Sequence, residues 1–174
     1  VISPSAIADN YSKLWKQVES ARQKDLPRTQ IEILKNIANK ALEEQNYGQL
    51  MKAEFSSINV WGSISTDSIL PQLKRIEHET TKRSKDKALS ATYYSVLGMA
   101  YRDITIGGIK DLKKSETFFS KSLENIDILS KKKALDYEPF IVKGIDSQIF
   151  NNDLLSVLGY NAKRFKLLHD FYEK

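Results

Sequence analysis

Two histidines are the whole imidazole supply of this chain, and their neighbours decide what they could do. His78 stands in Glu77-His78-Glu79, residue types that hold a divalent cation when they converge. Consecutive residues of a helix point in different directions, so these three do not converge, and no His-Glu-x2-His spacing brings His169 or another ligand into play. Paired carboxylates for acid–base work need burial to move a pKa, yet the Asp and Glu residues here mostly neighbour Lys or Arg on polar faces. With no Cys there is no thiolate nucleophile, disulfide or thiolate metal site. A Gly-x-Ser-x-Gly elbow, a Walker loop and a dinucleotide fingerprint are all missing, and Gly107-Gly108 is a lone pair in an extended turn. The sequence therefore nominates no catalytic, metal or cofactor-binding residue, and the chain reads as a non-enzyme without a cofactor.

Charge offers a second kind of site. The 27 Lys and Arg against 22 Asp and Glu give +5 and a pI near 9.2. The basic residues gather in Lys82, Arg83, Lys85 and Lys87, in Lys110, Lys113 and Lys114, and in Lys131 to Lys133. All three groups fall at predicted helix ends or connections, where solvated surface explains them, together with compensation of helix C-terminal dipoles for the first and third. Binding of nucleic acid would require the three groups to share one face, and no recognised fold motif supports it. Trp15, Trp61 and the eight Tyr could line a peptide groove, but aromatics at helical spacing more often fill a core.

These side chains need helices to position them. At 174 residues with 41% hydrophobic and 28% charged residues, four Pro and seven Gly, the chain suits one helical domain or a short array of helix pairs. No apolar run reaches the roughly 18 residues of a membrane span or secretory signal. A start at Val1 rather than Met is read as the loss of an N-terminal piece.

The organising stretch is Tyr94 to Leu123. Tyr94, Leu97, Gly98 and Tyr101 keep an aromatic-x2-Leu-Gly-x2-Tyr spacing, and Ser115 with Phe119 keeps a small-x3-Phe spacing. Gly98 lets a neighbouring helix approach the backbone, Ser115 and Ser122 are small for the same reason, and the aromatics fill the space between. This resembles the two helices of a tetratricopeptide repeat, with a turn about five residues longer than standard and no closing Pro.

In chain order, residues 1–9 read as a loose lead-in. Leu14, Val18 and Ala21 mark a helix from Asn10 to Lys24. Asp25 sits where an N-cap belongs and Pro27 in the first turn of a second helix, with Ile31, Leu34, Ala38 and Ala41 as its stripe. Asn46 to Gly48 turns the chain into a third helix, Gln49 to Trp61. Thr66 or Asp67 caps a fourth, with Ile69, Leu73 and Ile76 buried and Pro71 tolerated near its start. Ala88 to Arg102 and Lys110 to Leu129 form the hairpin just described, the latter burying Leu112, Phe119, Leu123 and Ile126. Residues 131–152 read as an irregular packed segment anchored by Tyr137, Phe140 and Phe150. A last helix starts at Asp153, capped by Asn151 or Asn152, and Leu158-Gly159 repeats the Leu97-Gly98 device. A last helix without a second one after it is read as the end of a fragment, with the larger array expected to continue. The expected fold is all-α: residues 1–174 as one repeat-like domain of antiparallel hairpins, stacked in a tetratricopeptide-like right-handed array of about seven helices.

The run Tyr11-Ser-Lys-Leu-Trp-Lys-Gln-Val-Glu, then Lys24-Asp-Leu-Pro-Arg-Thr-Gln-Ile-Glu and Asn46-Tyr-Gly-Gln-Leu-Met-Lys-Ala, resembles the start of large bacterial alpha-2-macroglobulin-like proteins. Tyr137-Glu-Pro-Phe-Ile-Val-Lys-Gly-Ile-Asp-Ser and Asp153-Leu-Leu-Ser-Val-Leu-Gly-Tyr-Asn-Ala look like a second block from the same region. The two blocks cover about half the chain, in the family's order. The resemblance implies a helical N-terminal segment preceding β-sandwich domains in a secreted or envelope-attached protein, extracytoplasmic in location. Members of the wider family trap proteases, some through a Cys-containing thioester, and the absence of Cys rules that thioester out of this segment. No functional residue carries over. The partner it implies is protein, either the downstream domains of the same chain or another envelope protein, with no nucleic acid expected. A free-standing peptide- or protein-binding module of tetratricopeptide type is the alternative.

Overall fold

A computed structural model describes residues 4–104, 110–137 and 153–162. Among the described residues eight helices follow one another: α1 (Pro4–Gln23), α2 (Pro27–Glu43), α3 (Tyr47–Ile64), α4 (Ile69–Lys82), α5 (Lys87–Asp103), α6 (Leu112–Ser122), α7 (Ile126–Leu129) and α8, residues 154–162. Single 3-10 turns lie at Thr66–Ser68 and Ala134–Tyr137. Among the described residues there is no strand, only an isolated antiparallel bridge between Lys133 and Asp153. The all-α class follows.

The first helix starts within the stretch read as a lead-in. Pro4 takes a first-turn position, where a missing amide is harmless. Two matching turns then join α1, α2 and α3. Leu26 N–H donates to Ala21 O (2.9 Å) and Asp25 N–H to Arg22 O (3.1 Å); Asn46 N–H donates to Ala41 O (2.8 Å) and Gln45 N–H to Leu42 O (3.2 Å). Both are Schellman turns, with Asp25 (φ 54°) and Gln45 (φ 56°) in the left-handed position. Asp25 therefore ends α1 instead of capping α2; Leu26 holds the cap position with no side-chain bond. Asn46 does cap α3, accepting from Gln49 N–H. Neither Thr66 nor Asp67 caps α4, because both belong to the 3-10 turn leading into it.

Helix α5 is the axis of the molecule. Thirteen of its seventeen residues are buried, which its small residues Ala88, Ser90, Ala91, Ser95, Gly98 and Ala100 permit. One side joins the main core with Leu34, Ile37, Leu50, Ile58, Leu73 and Ile76; Ala88 and Ala91 on the other side join Leu129, Tyr137, Leu154, Val157 and Leu158. Asp86 and Asp111 cap α5 and α6, accepting from Leu89 N–H and Lys114 N–H at 3.0 Å each.

The expected helix from Lys110 to Leu129 is two helices. Ser122 Oγ donates to Phe119 O (2.6 Å), and Asn125 leaves the helical region at φ −106°, ψ 57° to open α7 with its own carbonyl. The break buries Leu129 completely and turns Ile126 out to 57% exposure, against the expectation that Ile126 faces the core. Asp153 caps α8, its carboxylate accepting from Ser156 N–H at 2.8 Å. Asn151, Asn152, Phe140, Phe150 and the remainder of 138–152, with Gly107-Gly108 and the end of the last helix, lie outside the described residues.

Candidate functional site: a groove between α2 and α4

Glu54 is the residue that does not fit a simple core. It shares the α3 face of Leu50 and Ile58, one turn from each, and is only 8% exposed. A carboxylate there requires a partner, and Arg75 of α4 supplies it. Arg75 Nη2 donates to Glu54 Oε2 (2.6 Å), Nη1 reaches Oε1 (3.5 Å), and Nε donates to Gln72 Oε1 (3.0 Å). One turn on, Arg83 Nε donates to Glu79 Oε2 at 3.1 Å.

This stripe of Gln72, Arg75, Glu79 and Arg83 forms one wall of an open groove of about 450 Å³. The opposite wall is α2, through Ile31, Lys35, Ala38, Asn39 and Leu42. Leu50, Ala53, Glu54, Ser57 and Trp61 of α3 make the floor. Tyr93 of α5 enters at the Arg83 end; it is 2% exposed, and its hydroxyl makes no hydrogen bond to another described residue. Burial, and then the negative charge of Glu54, push the Tyr93 phenol well above its ordinary range. The floor can take apolar side chains and the walls can hydrogen-bond a backbone. Its walls come from elements some forty residues apart in the chain, so no local motif announces it.

The other candidate residues stay dispersed. His78 is exposed on α4, and no cluster of metal-binding side chains occurs among the described residues; His169 lies outside them. The lysine groups fall at the two ends of α5. Lys82 to Lys87 precede its start, and Lys131 to Lys133 follow Leu129, which packs beside Ala88 and Ala91. Lys114 instead lies 4.7 Å over the Tyr101 ring, near the far end, and pairs with Glu77 at 3.5 Å. Most aromatics are structural: Tyr11, Tyr93, Tyr101 and Tyr137 are buried, while Trp15 donates from Nε1 to Gln49 Oε1 at 2.7 Å. Trp61 is half-buried and lines the groove, Tyr160 is 47% exposed, and Tyr172 lies outside the described residues.

No described helix is long and apolar enough to cross a membrane. Set beside known proteins, the chain matches no family model, no curated protein and no solved structure.

Proposed function

We propose that this chain is a non-catalytic helical scaffold that holds a segment of protein in the α2–α4 groove. The observation that carries this is the groove itself: an apolar floor between two polar walls, with a volume suited to a few residues of chain. From Gln72 to Arg83 the α4 wall is about 16 Å long, room for about five residues of extended peptide. The two sequence blocks support an extracytoplasmic setting, at the front of a bacterial alpha-2-macroglobulin-like protein, members of whose wider family trap proteases. In that setting the occupant comes from downstream domains or from another envelope protein.

The second reading is a free-standing module built from tetratricopeptide-like hairpins. The packing of Phe119 of α6 against Gly98 of α5 favours that hairpin type. Reading the gene separates the two: a β-rich continuation is expected under the first and absent under the second.

Selection of displayed random heptapeptides tests the shared claim. Peptides enriched on the chain are expected to be lost from an Asn39→Trp variant, which fills the groove from an exposed wall position. No enrichment, or equal retention by that variant, would remove the groove from the account.

A further inference from the structure

We infer that the occupant of the α2–α4 groove is an extended peptide segment with acidic side chains, held by Lys35 on one wall and by Arg83 with Tyr93 at the other. This rests on the groove reading above and adds the chemistry of the partner. The lining carries Lys35, Arg75 and Arg83 against Glu54 and Glu79, one positive charge in excess. Its acceptors are largely committed: both Glu54 oxygens face Arg75, and Glu79 accepts from Arg83.

Its donors are not. Lys35 is exposed with no carboxylate partner among the described residues, and Arg83 uses Nε alone on Glu79. Tyr93 lines the groove as well and can present its hydroxyl to an occupant. A carboxylate bonded to cationic donors gains more than a neutral acceptor does. The apolar floor of Leu50, Ala53 and Trp61 takes the alternate side chains of an extended chain and has nothing to offer a sugar–phosphate backbone.

Fluorescence anisotropy with defined peptides tests this. The probe is a labelled, acetylated and amidated heptapeptide with glutamate at its third and fifth positions among leucine and alanine, so that side chains supply its carboxylates. Its comparison peptide has glutamine at both positions. The glutamate peptide is expected to bind about tenfold more tightly, with the difference shrinking as salt rises. Lys35→Met and Arg83→Met, both at solvent-accessible positions, are each expected to cut that preference severalfold while the helical circular dichroism stays unchanged. Equal binding of the two peptides, abolished by Asn39→Trp, would overturn the acidic occupant and leave the groove reading standing. Binding of neither peptide would overturn both. Displacement of the acidic peptide by an equimolar thymidine oligonucleotide would assign the site to phosphate and overturn the inference.

Discussion

Gly98 and Phe119 meet at a distance that leaves no room for a methyl group. A Cβ built on Gly98 would stand 2.9 Å from Cγ and Cδ1 of the Phe119 ring, inside any real carbon–carbon contact. Ser115, one turn before Phe119, donates its buried Oγ to the Gly98 carbonyl at 2.6 Å. The two helices are therefore joined by a ring on a bare backbone and by a hydroxyl reaching the same residue.

Gly98→Ala is accordingly expected to destabilise the chain by about 1–3 kcal/mol through overpacking, despite the better helix propensity of Ala. Gly159, at the matching position of α8, has no described atom within 4 Å of such a Cβ. There propensity decides, and Gly159→Ala is expected to be neutral or to stabilise by up to about 1 kcal/mol. Urea unfolding of the two variants checks the contrast; equal costs would show that Gly98 is not a close-approach site.

The twin turns predict a gain. Gln45 holds φ 56° with an ordinary side chain in the position where helix ends favour glycine. Gln45→Gly is expected to raise stability by about 0.5–1 kcal/mol, the relief of left-handed strain exceeding the added freedom of the unfolded chain. Asp25→Gly should gain less, because a short polar side chain tolerates this region better. Thermal unfolding ranks the two, and a loss in the Gln45 variant would contradict the turn geometry.

How much of this could be read from the residues depended on the range of the interaction. The hairpin contact is legible because Gly98, Ser115 and Phe119 keep a local spacing of small and aromatic residues suited to close helix approach. The break in the expected 110–129 helix is not: it depends on Ser122 and Asn125 competing locally for backbone groups while Leu129 turns into the second core. Asp25 was misplaced for a similar reason, since a short polar residue before Pro27 suits a cap and a left-handed helix end alike. The groove carried one overlooked signal. Glu54 repeats the Leu50 and Ile58 register of α3, and a carboxylate on an apolar stripe demands a cation elsewhere, which the Gln72, Arg75, Glu79, Arg83 stripe of α4 could provide.

That pair sets a third prediction. Arg75→Met leaves the Glu54 carboxylate nearly buried without its cation, and is expected to cost about 1–2 kcal/mol, reduced from the fully buried case because the Arg75 side chain is 42% exposed. Adding Glu54→Leu removes the stranded charge and is expected to recover most of that loss. A double-mutant cycle in urea measures the coupling, and strict additivity would mean that the two side chains do not support one another.

Base should unfold the chain through its tyrosines. Burial, and then the hydrogen bond to Asp86 (2.9 Å), push the Tyr47 phenol up to about 12. The folded chain thus holds this proton more tightly than the unfolded one, whose phenol titrates near 10. The stabilisation is complete below pH 10 and is lost as pH rises from about 10 to about 12. Tyr11, Tyr93 and Tyr137, all raised first by burial, act in the same direction. Phenolate absorbance is therefore expected to rise together with loss of helical circular dichroism, later than in free tyrosine. In Tyr47→Phe one fewer proton should leave in that transition, while Asp86 Oδ1 still caps Leu89 N–H. Tyr11 also works in the acid range, because the bond that holds its own proton lowers the Glu44 carboxyl after the larger effect of Lys40. That contribution is present above the ordinary carboxylate range and disappears as pH falls through it. Tyr11→Phe should therefore weaken the chain most at neutral pH and least in acid. Phenolates that all appear near pH 10 with the helices intact would contradict the burial on which both arguments rest.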